Sequence, residues 1–568
     1  MTETEARADR TGDKGLSRHI PGLRMLRAYQ ASWLRFDVVA GIVLAAILVP
    51  QGLAYAELAG LPPVTGLYTT VACLVAYALL GPSRVLVLGP DSSVSPLIFA
   101  AIVPLAAGDP GTAIALAGML ALLVGAIEIG LGVAKLGFVA DLLSKEVQVG
   151  YMNGLAITIL VGQLPKLFGF STDANGFIDE VRAFVTGLDQ TSVTTLVLGL
   201  ATLAVLLLLP RVTTRIPAVL VAVVGATVAT GALSLTAHGV KTVGTLPQGL
   251  PTPSFPWTGW GDLGTLTIAA LGIVLVSLTD TIATSTSFAA RRGDEVDPNQ
   301  EMIGVGSANV AAGFFQGFAV SVSGSRTAVA TQSGAKSQVT GLVGAGVVVT
   351  LLLLLPSLFK NLPSTALAAV VIAAALSLAD VRAVRAFYRV RRTAFLLSLA
   401  ATIGVVLLGV LQGILIAVVL SIFLFFRRSW WPPGEVLGYV DRLRGWHAVK
   451  RHPEGARLPE IVVYRWEAPL FFANAGMFRQ QIRRLVLHER PRWIVLQCEA
   501  ITDIDVTAAG MLESLDRELN AQGIHLAFVE MRGRLKDLVL RYGLLETLDR
   551  EHFYPTVAQA LEDIRGDG

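Results

Sequence analysis

Fourteen apolar runs follow one another between Val38 and Phe426, and that succession constrains the fold more than any other feature of the chain. A bilayer offers the backbone no water. A run of about 20 apolar residues inside it must pair its own N–H and C=O groups, and so becomes a helix. Eight runs are long: Val38–Ala56, Thr112–Ala134, Val193–Leu209, Val219–Leu235, Ile268–Ala290, Thr340–Leu355, Ala394–Val410 and Gly413–Phe426. Six shorter ones lie between them: Thr69–Leu80, Val94–Ala107, Val147–Leu164, Ile303–Phe318, Ala328–Ser337 and Ser364–Leu378. Short apolar helices broken by Gly and Pro are the device by which transporters stop a helix at mid-membrane and expose its N-terminus. Composition agrees with a membrane protein, at 53% hydrophobic, 15% charged and a mean hydropathy of +0.63 over 568 residues.

Basic residues of short loops orient such a chain. With the N-terminus in the cytoplasm and fourteen alternating spans, the inside carries Arg84, Lys135, Lys145, Arg211, Arg215, Arg291, Arg292, Lys336, Arg382, Arg385, Arg389, Arg391 and Arg392. The outside carries only Lys166, Arg182, Lys241 and Lys360. This bias predicts an even number of spans and a cytoplasmic C-terminus. From Val436 to Gly568 there are 18 Lys/Arg and 19 Asp/Glu in 133 residues, far denser than before, so a soluble domain follows the apolar body. The expected divisions are a cytoplasmic N-terminal segment over 1–36, a transmembrane domain over 37–428, a linker over 429–445 and a soluble domain over 446–568. A net charge of +3 supplies no basic field for nucleic acid, so no nucleic-acid partner is expected. Cys73 and Cys498 fall in different domains and imply neither a bridge nor a metal site. The polar start, "MTETEARADRTGDKGLSRH", is not a signal peptide.

Two short stretches open with small polar residues where a helix begins: "LGPDSSVSPL" (88–97) and "VSVSGSRTAVA" (320–330). A helix N-terminus leaves N–H groups unpaired and attracts anions. Gly89 and Gly324 admit close backbone approach, and Ser92, Ser93, Ser323 and Ser325 add hydroxyls. Small residues also let helices pack closely, so either stretch alone is ambiguous; one in each half of the chain points to an anion cradle. Arg326 is a charge at bilayer depth, with no acidic residue from Gly306 to Ala379. Asp280, in a long apolar helix with Ser277 and Thr284 on the same face, is expected to be its counter-charge and a coupling site for H⁺ or Na⁺. Glu128 is expected to be packed or interfacial. In the first helix Pro50 interrupts the hydrogen-bond ladder beside Gln51, with Tyr55 one turn on; Gln51 reads as a wall of a substrate site or a cap for the freed carbonyl.

These residues resemble the SulP anion transporters, the sulfate-permease group related to solute carrier family 26. The resemblance rests on "PQGLAYAELAGLPPVTGLY", "GPSRVLVLGPDSS", "VDPNQEMIGVGSANVAAGFFQGF" and "GSRTAVATQSGAKSQVTGLVGA", in that order. It implies fourteen helices as a seven-plus-seven inverted repeat in the uracil-permease-like arrangement, a core domain moving against a gate domain, and a homodimer. It implies substrate between the starts of helices 3 and 10, here Asp91–Ser93 and Ser325–Arg326. Asp280 stands where the coupling acid of helix 8 is often Glu.

From Glu460 on, "EIVVYRWEAPLFFANAGMF", "RWIVLQCEAITDIDVTAAGMLESLDREL" and "IHLAFVEMRGRLKDLVLRYGLL" alternate strand-like and amphipathic segments, a small α/β domain that resembles the STAS module. Thr507 stands where antagonists of that module carry a phosphorylated Ser, a position more often structural in transporters; Asp503 and Asp505 read as loop and capping residues. The chain carries no metal cluster, nucleophile–base motif or Walker loop. The expectation is therefore a multi-pass secondary active transporter of the cytoplasmic membrane, not an enzyme, with no cofactor beyond H⁺ or Na⁺. Its partner would be a small inorganic or carboxylate anion. Sulfate is favoured by the resemblance; bicarbonate, a dicarboxylate, an uncoupled exchanger or a channel stay open.

Overall fold

The computed structural model describes residues 21–138, 143–172, 174, 176–213, 216–544, 548 and 550–566. The start of the N-terminal segment and Arg215 lie outside the described residues. The chain forms two compact units, one up to Ser421 and one from Ile422 on.

Each apolar run is a helix. The first seven are α1 (Leu34–Leu58), α2 (Pro63–Leu80), α3 (Ser95–Ala106), α4 (Pro110–Val133), α5 (Lys145–Phe168), α6 (Val193–Val212) and α7 (Ala218–Ala232). The second seven are α8 (Trp260–Ala290), α9 (Pro298–Phe314), α10 (Gly324–Gln332), α11 (Val339–Leu354), α12 (Ser364–Leu378), α13 (Arg392–Leu408) and α14 (Val410–Trp430). Several start before their runs, because first turns are built from capping residues that hydropathy does not register. Asp109 accepts from Thr112 N, Asp297 from Asn299 N and Ser323 from Arg326 N. Three further helices, Pro21–Arg27, Phe177–Thr186 and Val381–Val390, lie outside the apolar pattern because charged residues interrupt them.

Two strands, β1 (Leu88–Gly89) and β2 (Ser321–Val322), pair antiparallel, Leu88 opposite Val322 and Gly89 opposite Ser321. Each leads into the third helix of its half, α3 and α10. Around this pair α4 and α9 pack backbone to backbone. Gly118 and Gly125, two turns apart, face Gly313 and Gly306; a Cβ on Gly313 would lie 2.7 Å from Gly118 O, and one on Gly306 2.8 Å from Gly125 O. Small residues are what allow this approach in a membrane.

Asp37, fully buried in the first turn of α1, accepts from Lys336 N (2.7 Å), Ser337 N (3.2 Å), Ser337 Oγ (2.7 Å) and Thr340 Oγ1 (2.9 Å). It thereby satisfies the orphan amides ahead of α11 and ties the α10–α11 turn to α1.

The second unit is a six-stranded mixed sheet of β3 (Gly434–Val440), β4 (Gly445–Ala448), β5 (Ile461–Trp466), β6 (Trp493–Gln497), β7 (His525–Val529) and β8 (Phe553–Tyr554), in the order β4-β3-β5-β6-β7-β8. β3 pairs antiparallel with β4 and β5, and β5 to β8 are parallel. The stretch 429–445, expected as a linker, thus contributes the whole of β3 and the first residue of β4. Its Gly434 and Gly438 disguised the strand, since Gly carries little strand propensity. Helices α15 (Ala475–Glu489), α16 (Val506–Asn520) and α17 (Gly533–Arg541) share one core with Trp466 and Phe478, and α18 (Val557–Gly566) closes a second. Asp505 caps α16, accepting from Ala508 N at 2.8 Å, and Thr507 is exposed in its first turn.

Candidate functional site

The starts of α3 and α10 meet across the β1–β2 pair. Ser323 caps α10 and its hydroxyl lies 3.1 Å from that of Ser325. Gly324 and Ser325 are exposed while Ser323, Arg326 and Thr327 are buried, so the first turn of α10 presents backbone N–H groups and hydroxyls to open space. Across from it Asp91 turns the chain into α3, its Oδ1 accepting from Ser93 N (3.0 Å) and Ser93 Oγ (2.8 Å). Ser92 and Ser93 are buried beside it.

Arg326, 1% exposed, spans the two halves. Its Nη1 donates to Pro90 O at 2.6 Å, its Nη2 to Gly89 O at 3.4 Å, and Nη2 lies 3.5 Å from Asp91 Oδ2. Its buried Nε–H has no acceptor among the described residues. Gly89 is required here, because a Cβ would come 2.9 Å from Nη1. The arginine's counter-charge is therefore Asp91, not Asp280 as expected. Sequence spacing favoured Asp280 because its helix was the conspicuous apolar one; the β1–β2 pairing brings Asp91 closer.

Asp280, on α8, lies beside Ser93 and has Gln148 Nε2 at 3.5 Å from its Oδ1. Thr284, one turn on, faces the start of α10: a Cβ on Gly324 would be 3.7 Å from Thr284 Oγ1. Tyr55 is buried beside Ser92, Asp91 and Arg326, and Gln51 is half-buried one turn before it on α1, where Pro50 lies inside a continuous helix. All eleven expected residues thus fall on four elements, the second half of α1, the lead into α3, the second half of α8 and the start of α10. Of these, Tyr55, Asp91, Ser93, Asp280, Thr284, Ser323, Ser325 and Arg326 form one cluster.

Two residues of α5 escaped the sequence reading. Tyr151, 1% exposed, donates to Ser93 O at 3.1 Å, and Gln148 is the Asp280 donor. Their i, i+3 spacing in "KEVQVGYMNG" was the available signal. Glu128 is fully buried rather than interfacial; it accepts from Asn309 Nδ2 at 2.8 Å, while Asn309 Oδ1 accepts from Val320 N at 2.8 Å just ahead of β2.

The formal charges at the cluster are Arg326 positive, Asp91 and Asp280 negative, one negative in all. An arriving anion meets amides, hydroxyls and a buried guanidinium, but also an acid whose charge opposes it unless a cation joins it.

The sulfate permease family model matches residues 34–401 and the STAS domain model residues 452–560. A probable sulfate transporter of Mycobacterium tuberculosis (strain CDC 1551 / Oshkosh) is 42% identical, with 96% of this chain and 98% of that protein covered. The probable sulfate transporter 3.3 of Arabidopsis thaliana is 30% identical, with 96% and 90% covered. Among solved structures, murine solute carrier 26 family member A9, an anion transporter, matches with a TM-score of 0.88 at 24% identity over 99% of this chain and 98% of that one. The transmembrane domain of the cyanobacterial bicarbonate transporter BicA matches with a TM-score of 0.61 at 24% identity over 70% and 98%.

Proposed function

The chain belongs to the sulfate permease family, a family of transporters, and from that premise we propose that it is a secondary active anion transporter that carries sulfate with H⁺ or Na⁺ by alternating access. It would be a homodimer of the cytoplasmic membrane, with the N-terminus and the STAS domain in the cytoplasm. Sulfate is favoured because the 42%-identical relative bears that name over nearly its whole length.

One observation carries the mechanism: the charge balance of the cluster. The anion docks on the exposed first turn of α10, on the Gly324 and Ser325 amides and the Ser323 and Ser325 hydroxyls, opposite Ser92 and Ser93. Arg326 acts from behind, holding the two helix starts together through Pro90 O and Asp91 and lending its charge at short range. Asp280 then carries the coupling ion. With Asp280 ionised the cluster is net negative and disfavours an anion; a proton or Na⁺ on Asp280, with Thr284 beside it, removes the opposition. Anion and cation therefore bind best together, which is what symport needs. Gln148 and Tyr151 of α5 touch the cluster from the gate side, and their contacts with Asp280 and Ser93 are those that the core must break as it moves.

Asp280→Asn in proteoliposomes tests this. The variant is expected to lose gradient-driven sulfate accumulation while keeping part of its sulfate–sulfate exchange. Full accumulation under a proton or sodium gradient would exclude Asp280 as the coupling site, and absence of flux for every oxyanion in the wild type would exclude the transport reading.

A further inference from the structure

Away from the central cluster, a cavity of about 260 Å³ opens where α1 and α5 end and α6 and α12 begin. By the parity of the spans all four ends lie on one membrane face, the external one in the proposed orientation. Its charged lining is Glu57, Lys166 and Lys241, a balance of plus one. Lys166 Nζ lies 3.5 Å from Glu57 Oε2, an ion pair between the end of α1 and the end of α5. Lys241 is exposed and makes no ion pair among the described residues.

The remaining wall is the N-terminus of α12. Ser364 and Thr365 are its first two residues; the Ser364 amide donates to Lys241 O at 3.0 Å and the Ala366 amide to Pro363 O at 3.0 Å, so the Thr365 amide and the helix's partial positive charge are what this turn offers the cavity. Thr365 is 2% exposed, and its hydroxyl has no hydrogen-bond partner among the described residues. That hydroxyl packs against Gly199 of α6, where an added Cβ would lie 2.5 Å from it, so it is covered by the neighbouring helix. Two ammonium groups and a helix N-terminus around one cavity form a receptor for a small oxyanion.

We propose that this cavity is an outer docking site for a tetrahedral oxyanion of the size of sulfate, held by Lys166, Lys241 and the first turn of α12. Its purpose, to collect substrate ahead of the central cluster, rests on the anion-transport reading; its existence does not. The arriving oxyanion competes with Glu57 for Lys166. Docking thus loosens the pair that joins α1 to α5, and α1 carries Tyr55 of the central cluster only two residues before Glu57.

Lysine acylation by a water-soluble N-hydroxysuccinimide ester, followed by mass spectrometry of the full-length protein in detergent, reads the site without any flux measurement. Sulfate is compared with gluconate at equal ionic strength. Sulfate at twice its dissociation constant slows acylation of Lys241 about threefold, the factor 1 + [L]/Kd. The slowing is expected to persist in Arg326→Ala, where the central cluster is broken, and to disappear in Lys166→Gln. Equal rates in sulfate and gluconate for the wild type overturn the proposal. So does protection that vanishes in Arg326→Ala, which would assign the effect to the central cluster. Protection without flux leaves this site standing and removes the transport reading; flux without protection does the reverse.

Discussion

At the scale of single residues, partners matter more than identities. Arg326 reads from sequence as a cation paired with Asp280, yet both its Nη atoms are engaged by Gly89, Pro90 and Asp91. Residues 237 and 236 positions apart meet there, and no local pattern announces such a contact. The glycine of "LGPDSS" was legible as a close-approach position; what approaches it was not. Glu180, on the surface helix Phe177–Thr186, is a second example. It looks like an ordinary solvated acid, but burial pushes its carboxyl up to about 7, and its Oε2 has no partner among the described residues. Folding favours the neutral form, so its contribution to stability is fully present below about pH 4.5 and is lost as the pH rises through about 7. Glu180→Gln is therefore expected to match the wild-type Tm at acid pH and to exceed it by a few degrees at pH 8. Thermal unfolding in detergent across that range checks this, and a constant offset at all pH values would contradict it.

At the scale of elements, the apolar runs identified all fourteen helices because hydrophobic length is a local property. Their starts were less legible, since Asp297, Ser323 and the Asp37 cluster are polar and hide in the gaps between runs. Helix-to-helix distance was not legible at all. Glycines are frequent throughout the chain, but only the fold shows that Gly118, Gly125, Gly306 and Gly313 form the seam between α4 and α9. A side chain at Gly125 meets Gly306 O and Val310, backbone as well as side chain, so the helices must separate. Gly125→Val is expected to destabilise the protein by at least about 3 kcal/mol, the upper range for overpacking. Loss of the monodisperse peak in size-exclusion chromatography would report it, whereas Gly130→Val, at a position open within 4 Å, is expected to behave as wild type. Equal behaviour of the two variants would refute the seam.

At the scale of the molecule, each unit has its own core, and every residue of the central cluster lies between Gln51 and Arg326. A chain ended after Pro433 is accordingly expected to retain anion flux in proteoliposomes, with any loss confined to its rate or regulation; abolished flux in a folded, monodisperse truncation would show that transport needs the STAS domain. By itself the sequence determined the membrane class, the number of spans, the polar starts of α3 and α10, the acid on α8 and a separate α/β domain. All of these rest on periodicity, hydropathy and short motifs, which act over a few turns of chain. Only the tertiary structure decided that Asp91 rather than Asp280 neutralises Arg326, that α5 reaches the site through Gln148 and Tyr151, and that Lys166, Lys241 and Thr365 share a cavity. Those are contacts between distant segments, fixed by the antiparallel closure of β1 on β2 and by the packing of helices, and hydropathy carries no information about which helices touch.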